Sequence, residues 1–386
     1  MIAIISPNTD TFTNPTMCSL FAFLQSKGEK AILFGPQQFP GCPEHIKNVE
    51  LRTVDFKLTM RNPRFWLSQL KSYRKVTKAI RNYGIKTLMG VDAKGLVIAG
   101  RIKKRFFPDI RLCYLSFEIF FSDEVKGYYL STKEEEKKYS PLIDVLLTQD
   151  EIRRELLFEE NGIRLSENRV ALVPVSPDDI KDASETDVRS IFGIPEGKKA
   201  VVYSGSTGKW CGTGEIISCF DKGLWPADCH LVFHSRTAPR EGDEFYDDLM
   251  RLSSDPKIPF SLHPHAFESM IDLAAFLKGF DIALALYYPN YDNPYYGRNM
   301  QEIGLSSGKF SMYMMLGLPT LVTPCRIYTR LLEDYRFGAT VETAQELSLA
   351  LQKNYDKAEA RRLYEQILTP RWTEYEKMFD NNGLLQ

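Results

Sequence analysis

The chain has 386 residues, 49 Lys and Arg against 50 Asp and Glu, a formal net charge of −1, and 44% hydrophobic residues. That length can bury two or three separate cores, and the near-neutral balance of the whole chain argues neither for nucleic acid nor for a membrane surface as its partner. Seven scattered cysteines, without a C-x-x-C pair or a Cys/His cluster at zinc spacing, suit reduced thiols of a cytoplasmic protein and exclude a disulfide framework.

In chain order, Ile2 to Ser6 reads as a first strand; it lacks the basic n-region of a signal peptide and runs straight into turn residues. Asn14-Pro15 is a cap and first-turn pair for a helix ending near Gly28, and Ala31 to Gly35 is the next strand. Asn62-Pro63 opens a long helix closed by Gly84. Strands are predicted at Thr87 to Val91, Arg111 to Phe117, Val145 to Thr148 and Arg169 to Val175, with a helix from Asp150 to Glu160 ending at Asn161-Gly162. After the polar, breaker-rich stretch Pro174 to Ser184 the alternation restarts, with strands at Ala200 to Ser204, His230 to His234, Pro259 to His263, Asp281 to Tyr287 and Thr320 to Thr323. The pattern predicts an α/β chain of two doubly wound, Rossmann-like domains, residues 1–175 and 185–369, with the strand ends of both facing across a cleft. Pro370 begins a last helix. No apolar run approaches the roughly 20 residues that span a bilayer.

The most informative stretch is SSGKFSMYMMLGLPTLVTP, Ser306 to Pro324. Ser306 and Ser307 can cap a helix, Phe310 to Leu316 is apolar on nearly every side, Gly317 suits a left-handed C-terminal position, and Pro319 prevents continuation. The first turn holds Lys309 and no acid, although a helix N-terminus favours anions. Free N–H groups, two hydroxyls and an ammonium at one helix start suit a phosphate or diphosphate; the plainer account is a lysine reaching solvent along its stem.

Other segments supply further candidates. In VVYSGSTGKWCGTGE an apolar strand runs into a Gly-rich loop of a kind that lets backbone approach phosphate, with Gly205, Ser206 and Lys209. It is neither a P-loop nor G-x-G-x-x-G. The long loop between Tyr287 and Gly308, rich in Tyr, Asn and Gly, offers Arg298, Asn299, Gln301 and Glu302 for sugar contacts. Arg111 to Phe121, RLCYLSFEIFF, reads as a strand whose end delivers Glu118 among aromatics, a candidate general base or a capping acid. The loop Ser6 to Asn14 offers Asn8, Asp10 and Thr11 as acceptor contacts. His263 and His265 flank a proline, with no carboxylate or Cys at ligand spacing, so no metal is expected.

Between Phe56 and Phe107 the only acid is Asp92, among many Lys and Arg. Residues 61–86 combine these cations with Phe65, Trp66, Leu70 and Tyr73, as a helix on an anionic membrane would, or as a solvated helix face with one core-facing stripe would.

Ser306, Lys309, Tyr313, Gly317 and Pro319 resemble the donor-site motif S-P-x-K-x-x-E-Y-x-x-x-G-x-P of GT-B glycosyltransferases of bacterial polysaccharide synthesis. Met312 stands for the acid of that motif, and Gly304 and Met312 fall where retaining enzymes carry their Glu pair. Ser206 and Cys211 replace the Arg and Lys of the family's G-R-x-x-x-x-K-G loop, and Phe117 stands where related enzymes have His. The resemblance implies a metal-independent glycosyltransferase with a nucleotide-diphosphate sugar as substrate and no cofactor. Ser306, Ser307 and Lys309 would hold the diphosphate, and the loop at His265 would pass over the base. The acceptor would be a glycan or a polyprenyl-linked sugar at the inner face of the membrane, and the tail helix, 370–386, would cross back onto the first domain. The competing readings are a non-catalytic nucleotide-sugar or partner-binding protein on the same scaffold and a nucleotide-sugar epimerase.

Overall fold

The computed structural model describes residues 1–8, 11–36, 44–56, 63–180, 183–369 and 371–385, with side chains from residue 69 onward in the helix that starts at Pro63. The chain divides into two compact units, Met1–Val175 with Pro370–Gln386, and Ser176–Thr369.

The first unit is built on seven parallel strands: β1 (Ile2–Ile5), β2 (Ala31–Gly35), β3 (Val49–Thr53), β4 (Thr87–Val91), β5 (Arg111–Leu115), β6 (Val145–Thr148) and β7 (Val170–Leu172), in the order β3-β2-β1-β4-β5-β6-β7. Successive residues of a strand face opposite ways, so β1 feeds two cores. Ala3 and Ile5 pack with Val76, Ile80, Leu96 and Ile102 from the helices Pro63–Tyr83 and Asp92–Phe106. Ile2 and Ile4 pack on the other face with Leu20 and Phe23 of the helix Pro15–Ser26 and with Tyr375, Met378 and Phe379 of the tail helix Arg371–Asn381. Burying an aromatic or leucine side chain there contributes roughly 1.5–3 kcal/mol each. The tail is also held by polar bonds, from Arg371 Nε to Ser19 Oγ at 2.7 Å and from the Tyr375 hydroxyl to Thr16 O at 3.2 Å. Asn14 caps the first helix, accepting from the N–H groups of Thr16 and Met17 at 2.9 and 3.2 Å.

The second unit has six parallel strands, β8 (Lys199–Ser204), β9 (Cys229–Ser235), β10 (Phe260–Pro264), β11 (Ile282–Ala285), β12 (Thr320–Val322) and β13 (Gly338–Thr340), ordered β10-β9-β8-β11-β12-β13. In each sheet the order reverses once, between β1 and β4 and between β8 and β11. Loops leaving the carboxyl ends at such a point diverge to opposite faces and open a crevice, where ligands of doubly wound sheets bind.

The helix Gly308–Met315 starts beside the second reversal. The Ser307 hydroxyl accepts from Phe310 N–H at 3.1 Å, the first turn carries no acid, and Phe310 through Met315 are buried. At its end Gly317 adopts φ +64°, which lets its N–H return to Met314 O at 3.0 Å.

Several predicted strands are too long. The stretch 111–117 leaves the sheet after Leu115 because the Phe117 and Glu118 N–H groups turn to the Asp92 carboxylate. The stretch 281–287 leaves after Ala285, and Tyr287 N–H goes to Thr323 Oγ1 at 3.0 Å. The first strand stops at Ile5, and Glu167–Arg169 is a 3-10 turn ahead of β7. The short strands β3 and β13 were not predicted.

Candidate functional site

The site is assembled where β8, β9 and β11 end. Ser204 closes β8, and its N–H donates to the Tyr313 hydroxyl at 3.2 Å, tying the sheet to the buried helix. His234, near the end of β9, is buried and bonded through both ring nitrogens, to Ser204 Oγ at 2.7 Å and to His265 O at 2.8 Å. A carbonyl only accepts, so Nε2 carries the proton and Nδ1 accepts from Ser204. Burial lowers the His234 pKa and favours this neutral imidazole. His265 itself is exposed, its ring stacked on His263 at 5.4 Å and met edge-on by Phe267 at 4.8 Å. This leaves an aromatic platform beside the strand ends.

The loop after β8 is held by its own backbone. The Tyr203 hydroxyl donates to Ser206 O at 2.6 Å, and Gly205 N–H to His234 O at 3.0 Å. Trp210 stacks on Tyr296 at 4.6 Å and lies 6.3 Å from Tyr287, joining this loop to the long one after β11. Tyr287 in turn bonds Ser307 Oγ at 2.6 Å.

Lys309 lies inside that frame. Its Nζ is 4.1 Å from the centroid of the Tyr203 ring and 5.5 Å from that of Tyr287, and no carboxylate pairs with it among the described residues. Gly205 makes the space: a Cβ there would stand 2.6 Å from Nζ and 2.9 Å from Cε. Burial pushes the lysine pKa down to about 8. Among the described residues this half-buried ammonium has only ring faces for partners, and it stands at the acid-free start of a helix, an arrangement that suits an anion.

The structure thus brings together Gly205, Ser206, His265, Ser307, Lys309 and Tyr313 around the strand ends. Lys209 is engaged elsewhere: it is 65% exposed and ion-paired with Glu244 at 3.2 Å. Glu302 is held by Arg326, whose Nε lies at 2.8 Å. Arg298 and the buried Asn299 open the short helix Arg298–Gln301, and Ser306 closes the 3-10 turn Gly304–Ser306.

In the first unit the reversal between β1 and β4 carries a second cluster. Asn8 follows β1 and donates from Nδ2 to Asp92 Oδ2 at 2.7 Å. Asp92 follows β4, and its Oδ1 accepts from the N–H groups of Phe117 and Glu118 at 2.7 and 3.1 Å. Thr11 is buried, its hydroxyl 2.8 Å from that of Ser6. Asp10 lies outside the described residues. Arg153, fully buried, donates to Phe117 O at 2.5 Å and to Gln149 Oε1 at 2.9 Å, so the loop carrying Glu118 is fixed from two sides. Asp92 has φ +54°, a conformation that costs a non-glycine residue about 1–3 kcal/mol and recurs at functional sites. Sequence reasoning passed over it. Its signal was an acid immediately after a buried strand and before a helix.

Among the described residues no three His, Cys, Asp or Glu side chains are grouped so as to hold a metal ion. No protein-family model and no curated protein matches the chain. Solved structures do. HepE of Anabaena in complex with UDP is similar over 100% of both chains, with a TM-score of 0.71 and 14% identity. A glycosyltransferase of Rickettsia africae matches over 100% of this chain and 99% of its own, TM-score 0.71 and 12% identity. A putative UDP-N-acetylglucosamine 2-epimerase of Listeria monocytogenes matches over 98% and 96%, TM-score 0.60 and 10% identity. Identity this low carries the fold alone, and that fold is GT-B, with two Rossmann-like domains.

Proposed function

We propose that the protein is a glycosyltransferase that moves a sugar from a nucleotide-diphosphate donor to a glycan or lipid-linked acceptor in cell-surface polysaccharide synthesis. The observation that carries this reading is the Lys309 ammonium, set over Gly205 between the rings of Tyr203 and Tyr287 at the start of a buried helix. HepE, similar in fold, has been crystallised with UDP and with UDP-glucose.

In this reading the diphosphate lies on the N–H groups of the Gly308–Met315 helix and on Lys309, the base rests on the platform at His265, and Arg298 and Asn299 face the sugar. As the glycosidic bond breaks, negative charge grows on the departing diphosphate, and a preorganised ammonium and helix start stabilise it without a metal ion. Glu118, steadied by Asp92 and Arg153, takes the proton of the attacking hydroxyl, with Asn8 and Thr11 as acceptor contacts. No helix among the described residues is long and apolar enough to cross a membrane.

The test is a thermal-shift panel of UDP, GDP, dTDP, CMP and ATP without metal, on wild type and Lys309→Ala. A ligand at about a hundred times its Kd stabilises by roughly 2.7 kcal/mol, a visible shift. The expected result is one nucleoside diphosphate that stabilises the wild type and leaves the variant unmoved. No shift with any of them sinks the proposal.

A further inference from the structure

In the first unit, the helices Pro63–Tyr83, Asp92–Phe106 and Tyr128–Tyr139 enclose a groove of about 870 Å³. Helices that connect parallel strands run back against the strand direction, so their last turns lie by the strands' amino ends. The last turns that line the groove, with Arg81, Arg105 and Lys138, therefore lie toward the strands' amino ends, away from the carboxyl ends that Asn8 and Asp92 follow.

Six cations line it: Arg74, Arg81, Arg101, Lys104, Arg105 and Lys138. The one acid among the described lining residues, Glu135, is taken by Arg101 at 2.9 Å and Lys138 at 3.1 Å. The other four cations have no carboxylate within ion-pair distance among the described residues. Arg81 and Arg105 instead lie over the rings of Phe107 and Phe106, at 5.5 and 5.7 Å.

Basic residues in a last helical turn are ordinary, because each helix C-terminus carries about half a negative charge. Three such ends together with Glu135 answer fewer than half of the six cations. The excess points into a concave space, which concentrates potential where a flat face would disperse it. Guanidinium forks pair bidentately with phosphate oxygens, and the tyrosine rings of Tyr73 and Tyr139 give the groove apolar walls.

We infer that this groove binds a soluble phosphorylated small molecule bearing several negative charges, at a site separate from the strand-end clusters and independent of the transferase reading. The probe is inositol hexakisphosphate, titrated calorimetrically at low salt into the full chain carrying Lys309→Ala, which silences the other anion site. Binding should weaken about tenfold in Arg81→Ala and again in Arg105→Ala, as charge-assisted bonds are lost, and should fade as salt rises. Both side chains are exposed, and unchanged thermal unfolding verifies that the variants fold. Arg105→Lys, which keeps the charge but loses the fork, should fall between wild type and Arg105→Ala. Absence of binding, or equal binding by the double variant, overturns the inference. So does binding to vesicles of equal parts phosphatidylcholine and phosphatidylglycerol without binding of the soluble probe, which would make the cations a membrane-facing patch.

Discussion

Replacing Lys309 by methionine should stabilise the ligand-free protein while abolishing nucleotide binding. A lysine held near pKa 8 against an ordinary 10.5 carries a penalty of about 3 kcal/mol on its charged form. Two features reduce that figure: Lys309 keeps some contact with solvent, and the two ring faces return about 1–2 kcal/mol. About 1 kcal/mol should remain as the gain from a methionine whose stem fills the same space, a rise of roughly 2–4 °C in Tm for a domain of this size. The pH dependence has a definite sign. Because the folded pKa lies below the unfolded one, the unfolded chain binds more protons between about 8 and 10.5. Wild-type stability therefore gains with pH across that window relative to Lys309→Met, and the variant's advantage is lost before about pH 10. Thermal unfolding of both proteins at about pH 7 and about pH 10, with and without nucleoside diphosphate, reads all of this. A lower Tm for the variant at about pH 7, or a gap that is the same at both pH values, would refute the reasoning.

Three further outcomes follow from the same contacts. Gly205→Ala drives a Cβ into the flexible end of Lys309, so stability should fall by no more than about 1 kcal/mol while nucleoside-diphosphate Kd rises about tenfold in calorimetry. Asp92→Ala removes the acceptor of three hydrogen bonds and should lower unfolding free energy by about 2–3 kcal/mol; Asp92→Gly, which relaxes the left-handed backbone, should recover about 1 kcal/mol of that without recovering turnover. In the buried network of the first unit, Glu136 accepts from the Tyr114 hydroxyl and Asn161 Nδ2, both at 2.7 Å, and pairs with Lys133 at 3.1 Å. Glu136→Ala leaves that ammonium buried without its countercharge and should cost about 3–5 kcal/mol in denaturant unfolding.

The repeating strand and helix pattern was legible because nearly every strand is buried on both faces and reads as an apolar run. The two missed strands show the limit. β3 is an edge strand, VELRT, with Glu50 and Leu51 exposed, and β13 is only Gly338–Thr340; both are defined by backbone pairing with one neighbour and not by apolar content. Strand ends were overrun where a distant acceptor captures the backbone, as Asp92 does at Phe117, since no local signal marks such an event. At the candidate site, Ser307, Gly317 and the lone Lys309 could be read locally because capping and helix charge are properties of adjacent residues. The Tyr203 and Tyr287 ring faces and the bridging His234 in the second sheet, and the bonds of Asp92 to Asn8 and Phe117 in the first, depend on strand order, which brings residues far apart in sequence to the reversal point of each sheet.

The most direct test of the central claim is release of nucleoside diphosphate from a panel of nucleotide sugars, without added metal or acceptor, by wild type and by Lys309→Met and Glu118→Gln. The account predicts slow release from one donor by the wild type, with release lost in Lys309→Met and strongly reduced in Glu118→Gln, which can no longer take a proton from the attacking water. Release that is undiminished in Lys309→Met, or absent with every donor despite nucleotide binding, would contradict it, the second outcome leaving a binding protein on a GT-B scaffold.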